Sequence, residues 1–231
     1  MKLRPTRKPL SAHRVVETAL KLVDRHGLDA LSMRRLGTAL RVEAMSLYKH
    51  VPNKGALVDL VVERVLRDAV APGAGLGWEQ RLRHVARELR RIALEHPHVF
   101  PLLATRVPSS EHAFAPLEAL LGALADSGLD DEATLQYFWT FIAYVTGSLL
   151  AETAAQSGLG TACIVVPRTL DAATFPHLGR LSDAIAACDF ATEYARGLDV
   201  LISAAAAAGT DARGRQVAKG KATRGTGGRG D

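Results

Sequence analysis

Cysteine is almost missing: Cys163 and Cys188 are the only two in 231 residues. Their spacing offers neither a zinc motif nor a disulfide framework, so free, mostly buried thiols in a reducing cytosol are expected. Alternating strand patterns are missing too, and with them a β fold. The longest uncharged run, Ala133 to Ala151, contains Thr134, Gln136, Thr140, Thr146, Gly147 and Ser148. That is too polar for a bilayer span and suits a helix buried in protein. The opening MKLRPTRKPL is basic but has no apolar run of the kind a secretory signal needs, which again points to a cytoplasmic setting. No HExxH motif, nucleophile elbow or paired metal motif occurs, so neither an enzyme nor a cofactor is expected. Aromatic residues make up only 5% of the chain. A tyrosine on a short polar helix therefore asks for a reason.

Apolar residues reach 48%, enough to build a core. Charge is segregated along the chain. Residues 1–67 carry fourteen Lys/Arg against six Asp/Glu, residues 68–208 nine against sixteen, and residues 209–231 six against two. A basic head on an acidic body implies a polyanionic partner at one end.

Helical periodicity runs through the chain. Ser11 caps a helix to His26 with apolar positions Val15, Val16, Ala19, Leu22 and Val23, and Gly27 follows it. Ser32 caps a short helix from Met33 to Leu40. Another runs from about Glu43 to Val51, where Pro52 ends it, and Asn53 caps one reaching towards Val70. The APGAGLG stretch, Ala71 to Gly77, coincides with the change of charge sign and marks a boundary. Beyond it, helices are expected at about Trp78–Glu95, Pro97–Thr105, Glu111–Ser127, Asp131–Gln156 and Leu181–Ala208, with a loop or lid at Ser157–Gly179. The expected domains are a basic arm (1–10), a basic helical head (11–70), an acidic helical body (78–208) and a disordered basic tail (209–231). The fold class is all-α.

Two short helices joined by a tight turn, MRRLGTAL-RV-EAMSLYKHV, give a helix-turn-helix pattern with Leu36, Leu40, Val42, Leu47 and Val51 as its small core. The second helix of such a unit enters the major groove of duplex DNA. Ala44, Met45 and Ser46 are small or apolar enough to approach base edges. Tyr48, Lys49, His50 and Lys54 suit phosphate oxygens or a base edge. The run LSMRRLGTALRVEAMSLYKHVPNKGALVDLV resembles the DNA-binding head of the TetR family of bacterial transcriptional regulators. ALEHPHVFPLLATRVPSSEHAFAPLEALL and FATEYARGLDVLISA extend the likeness to the tetracycline-repressor branch. The resemblance adds Arg34, on the leading helix, to the residues that reach DNA. Two features depart from the pattern. Arg41 stands at a turn position usually held by glycine, where a left-handed conformation would cost on the order of 1 kcal/mol. Ala44 and Met45 lack the side-chain amide that reads adenine.

The same resemblance implies a ligand pocket in the body, with Phe100, Leu103, Thr105, Phe114, Leu117, Tyr137, Phe141 and Tyr144 as lining. In the Leu102-Leu103-Ala104-Thr105-Arg106 segment, leucine takes the place of the histidine with which tetracycline repressors hold magnesium-bound drug. No metal is therefore expected, and the effector should be a largely apolar small molecule. His96-Pro97-His98 reads as a helix junction. Leu135, Phe138, Trp139, Ile142, Val145 and Leu149, with Ile185, Cys188, Leu198, Leu201 and Ile202, offer more apolar surface than one chain readily hides, which points to a homodimer. The functional expectation is a ligand-responsive dimeric repressor on a palindromic operator. Two other readings compete with it: a helical metal-dependent enzyme using His84, His96, His98 and His112, and a non-specific architectural DNA binder. The basic tail should add affinity without sequence choice. Deleting Gly209–Asp231 is expected to weaken DNA binding while leaving the preferred sequence unchanged, as a competition titration between specific and random duplexes would show.

Overall fold

Ser11, Ser32 and Asn53 each start a helix by the same chemistry. An extended residue turns its side-chain oxygen onto a backbone N–H three residues on: Arg14 at 3.3 Å, Arg35 at 3.2 Å and Ala56 at 2.8 Å. The helices begun in this way are α1 (Ala12–His26), α2 (Met33–Leu40) and α4 (Lys54–Leu66). Between the last two lies α3 (Ala44–Leu47), and a 3-10 turn, Leu28–Ala30, links α1 to α2. Then follow α5 (Trp78–Glu95), α6 (Phe100–Leu103), α7 (Glu111–Ala125), α8 (Asp131–Gln156), α9 (Pro176–Ala186) and α10 (Phe190–Gly225). The computed structural model describes residues 9–103, 105–106, 110–156, 166–167, 169–171 and 173–225, without the side chains of 112, 213 and 215–225. Those residues form helices and no strand.

The chain divides into two compact units, with one cut just before the glycine-rich stretch and a later segment returning to the first unit. The first comprises Met1–Ala69 with Ile92–Phe114, the second Val70–Arg91 with Ala115–Asp231. In the first unit α1 packs on α2 and α4, and Val15, Val23, Leu36, Leu47, Val51 and Leu57 are sealed from water. Ile92, Val99 and Ala113 join the same core from far along the chain. Of the expected core, Leu36, Leu47 and Val51 are buried, while Leu40 and Val42 are partly covered. In the second unit α8 packs on α10. Their buried faces carry Phe138, Phe141, Val145 and Leu149 on one helix and Tyr194, Leu198 and Ile202 on the other.

Several boundaries differ from the sequence reading. The helix expected over Glu43–Val51 is α3 plus a tighter turn: His50 N–H bonds back only three residues, to the Leu47 carbonyl at 2.9 Å, before Pro52. The helix expected from Pro97 begins at Phe100, because residues 96–99 close a turn through Val99 N–H to His96 O. The helix expected over Leu181–Ala208 is two helices. Pro176 sits in the first turn of α9, and Asp189 restarts the chain by accepting from Thr192 N–H at 3.2 Å. The α9 residues Pro176–Gly179 replace part of the expected loop, whose residues 157–165, 168 and 172 lie outside the described set. α10 continues past Ala208, where a disordered tail is expected, to Gly225. Its five-alanine run Ala204–Ala208 is the strongest helix former available, and Gly209 is buried. Cys188 is exposed rather than buried, because it stands in the break between α9 and α10. Cys163 is outside the described residues.

The turn of the helix-turn-helix is closed at two points. Arg41 adopts φ 58° and ψ 44°, the left-handed region, which the sequence reading identifies as costly for a residue with a Cβ. Val42 N–H donates to Gly37 O at 2.9 Å, and a Cβ on Gly37 would sit 2.8 Å from the Val42 carbonyl oxygen. Glycine at 37 thus lets the turn fold onto α2. Arg41→Asn, which relieves part of the left-handed strain, is expected to raise the unfolding free energy by about 0.5–1 kcal/mol. The β-branched Arg41→Val is expected to lower it by about 1 kcal/mol or more, both read from denaturant midpoints.

Candidate nucleic-acid interface

α3 is a single turn, too short to hold its own shape, so its orientation comes from what it buries. Leu47 is fully buried beneath it. Met45, two residues earlier and about 200° round the helix, therefore faces outward and is 75% exposed. Tyr48 is 44% exposed, and Lys49 is exposed too. Ala44, Ser46 and His50 are half-covered. Arg34, on α2, and Lys54, the first residue of α4, are exposed. All eight residues expected to meet DNA are thus on accessible parts of the first unit. The outer face of α3 and the turn that follows it combine a thioether, a phenol and an ammonium group.

The charges around them are unspent. Among the described residues Arg34, Lys49 and Lys54 make no ion pair. In the second unit the arginines behave differently. Arg81 pairs with Asp126, Arg83 with Asp199, Arg90 with Glu152, Arg91 with Glu88 and Arg196 with Glu193. Five arginines of the body are thus matched by carboxylates, while Arg34, Lys49 and Lys54 beside the recognition turn are left available to a polyanion partner.

Two ion pairs bind distant segments into the head, and sequence spacing gives no sign of either. Arg106 pairs with Asp59 on α4, and its Nη1 lies 3.5 Å from the Gly55 carbonyl oxygen. His96 Nδ1 lies 3.1 Å from both carboxylate oxygens of Asp24 on α1. That hydrogen bond, reinforced by the negative charges of Asp24, Glu95 and Asp68, raises the imidazole above its ordinary value despite its partial burial. The junction expected at His96-Pro97-His98 is thus a tie between the start of the head and the end of α5. A third pair, Arg64 with Glu17, joins α4 to α1. Among the described residues no group of three or more His, Cys, Asp and Glu side chains is placed to hold a metal.

The residues expected to line a pocket fall in both units. In the first, Phe100 is buried, Leu103 packs against the head core, Thr105 is exposed and Phe114 is about half-exposed. In the second, Phe141 is buried and Leu117 half-buried. The two phenols offered to a ligand are engaged within the chain: Tyr137 donates to Ala204 O at 3.1 Å, and Tyr144 to Tyr194 O at 2.8 Å. Tyr144 lies across α10 because position 197 is glycine; a Cβ there would fall 2.2 Å from the phenol oxygen. Its ring stacks on Tyr194 at 6.0 Å. The Tyr194 hydroxyl donates to Ala86 O at 2.8 Å, and burial raises its pKa well above the usual phenol range. Beneath this stack Arg90 grips the buried Glu152 through two bonds of 3.0 and 2.6 Å. Sequence reading misses this pair because its members stand 62 residues apart.

Residues 15–61 match the model of the tetR family of bacterial regulatory proteins, and residues 71–207 that of the tetracyclin repressor-like C-terminal domain. The chain belongs to the TetR family. The HTH-type transcriptional repressor DrrR1 of Streptomyces coeruleorubidus is a relative, 36% identical over 63% of this chain and 56% of DrrR1. Another TetR-family relative, the class E tetracycline repressor protein of Escherichia coli, is 32% identical over 63% of this chain and 70% of its own. The chain thus spans a little over half the length of DrrR1. The solved structure of apo ActR from Streptomyces coelicolor is similar at 32% identity with a TM-score of 0.74, covering 89% of this chain and 99% of ActR. The structure of ActR in complex with actinorhodin gives a TM-score of 0.75. This TetR-family chain contains, among its described residues, no helix long and apolar enough to cross a membrane.

The tie at His96 has a sign. A raised imidazole value means that the pair stabilises fully at pH below the ordinary value of 6.5 and loses its contribution as pH rises through the raised value. Wild-type protein is therefore expected to exceed His96→Gln in Tm at about pH 6 and to lose most of that advantage by about pH 9. Asp24→Asn should lose it likewise. Thermal denaturation across that range measures the difference.

Proposed function

We propose that this protein is a ligand-responsive, dimeric transcriptional regulator acting as a repressor on a palindromic operator. The observation that carries this reading is the outer face of α3. A helix-turn-helix whose buried side is occupied by Leu47 leaves Met45, Tyr48 and Lys49 in water, with Arg34 and Lys54 unpaired nearby. Ala44, Met45 and Ser46 meet base edges, and Arg34, Tyr48, Lys49, His50 and Lys54 hold the flanking backbone. DrrR1 and the tetracycline repressors, whose names describe repressors, support the same direction of control.

One head reads too few base pairs for useful specificity, so two must act together. Within the second unit, Leu135 and Trp139 of α8 and Val200 of α10 stand exposed, Trp139 at 61%. Pairing these helices with their copies about a twofold axis covers that apolar surface and supplies the second head. Phe138, Val145, Leu149, Leu198 and Ile202, also expected at that interface, instead fill the chain's own core.

The effector is a small molecule of largely apolar character, taken up by the body, and the protein works in the cytoplasm. ActR, similar in fold, is solved with actinorhodin and with (S)-DNPA, which supports a small-molecule signal here. Leucine at position 102 argues against a magnesium-bound drug. An effector controls the operator only through different affinities for the bound and released states.

Selection from a random duplex pool is expected to enrich a twofold-symmetric sequence, bound with an affinity that falls linearly on a log–log plot as salt rises. Fluorescence anisotropy on the enriched duplex supplies that slope. Equal binding to every duplex would overturn the proposal.

A further inference from the structure

Of all the large apolar side chains on the described surface, Met45 is the most exposed, at 75%. It sits on the outer face of α3, with Lys49 one turn further on and Tyr48 beside it. A single exposed methionine is common on protein surfaces, but this one stands on the face that a helix-turn-helix turns towards its partner. The surroundings identify that partner. The nearby cations Arg34, Lys49 and Lys54 are unpaired among the described residues, so a polyanion fits and an apolar protein surface does not. The neighbouring Ala44 is equally without hydrogen-bonding groups.

Resting on the reading of α3 as the recognition helix, we propose that Met45 is a specificity-determining residue that reads the 5-methyl group of a thymine in each operator half-site. The argument is one of elimination. In the major groove the bases differ in hydrogen-bond donors and acceptors and in a single apolar feature, the thymine methyl. A thioether donates nothing and accepts weakly, so it discriminates between bases by the methyl group alone. Methionine's three unbranched torsions let its terminal methyl and sulfur follow the groove until they pack on that group. The operator therefore carries thymine where Met45 docks, and not the adenine that a glutamine at this place would select.

The test replaces each thymine of the selected operator, one at a time, by deoxyuridine, which removes only the methyl group. At one position per half-site the affinity of wild-type protein is expected to fall about fourfold, the equivalent of one buried methyl group at about 0.8 kcal/mol. All other positions should change little. Met45→Ala, which leaves the buried core untouched, should bind the thymine and uracil operators equally. Met45→Gln should move the preference at that position towards adenine. Lys49→Ala should lower affinity and flatten the salt dependence while preserving the fourfold ratio. A uracil effect that survives unchanged in Met45→Ala, or no sensitive thymine at all, overturns the assignment. Failure to select any operator would instead remove the reading of α3 on which it rests.

Discussion

The burial of Leu47 governs what the head can do. α3 has one turn of helix and no side-chain cap, so neither propensity nor length holds it in place. Its pose is inherited from Leu47 and Val51, locked among Leu36, Leu57 and Val15. Because the inward side chain is fixed, the outward ones are fixed as well, and helical geometry carries Met45 and Lys49 into solvent. The strained Arg41 serves the same end. Its left-handed backbone turns the chain sharply enough for Leu47 to enter the core, and Gly37 gives the returning turn room.

Charge is distributed with a purpose that burial alone does not explain. In the second unit, Arg83 and Arg90 of α5 meet carboxylates on α10 and α8, and the Glu152 partner of Arg90 is buried. Removing either partner of such a pair would leave the other's charge uncompensated, which costs more than the intact pair adds to stability. Beside the recognition turn Arg34, Lys49 and Lys54 make no ion pair among the described residues. The protein tolerates that repulsion because counter-charge arrives with the partner.

Much of this architecture is legible in the sequence where the information is local. Ser11, Ser32 and Asn53 announce helix starts because capping needs only three residues of context; the bounds of α5 follow from apolar periodicity, and α8 is marked by its long uncharged run. The left-handed turn at Arg41 is readable for the same reason. Reading fails where distant residues decide. Nothing near Asp24 points to His96, and nothing near Asp59 points to Arg106. Tyr137 and Tyr144 look like pocket hydroxyls until α10 supplies carbonyls for them. α9 and α10 look like one helix because Ala186 and Ala187 suit a helix well, while the Asp189 cap that divides them resembles an ordinary acidic surface residue.

The discontinuity of the first unit has a consequence for modular exchange. A recombination joint at the glycine-rich stretch after residue 70 looks natural, since charge and composition both change there. A head severed at that point, however, parts from Ile92, Val99 and Ala113, which complete its apolar interior, and strands Asp24 and Asp59 without their basic counterparts. Hybrids that graft this reader onto a foreign body must carry residues 92–114 with it. The inheritable module is defined by what is shared in space, and its sequence comes in two pieces.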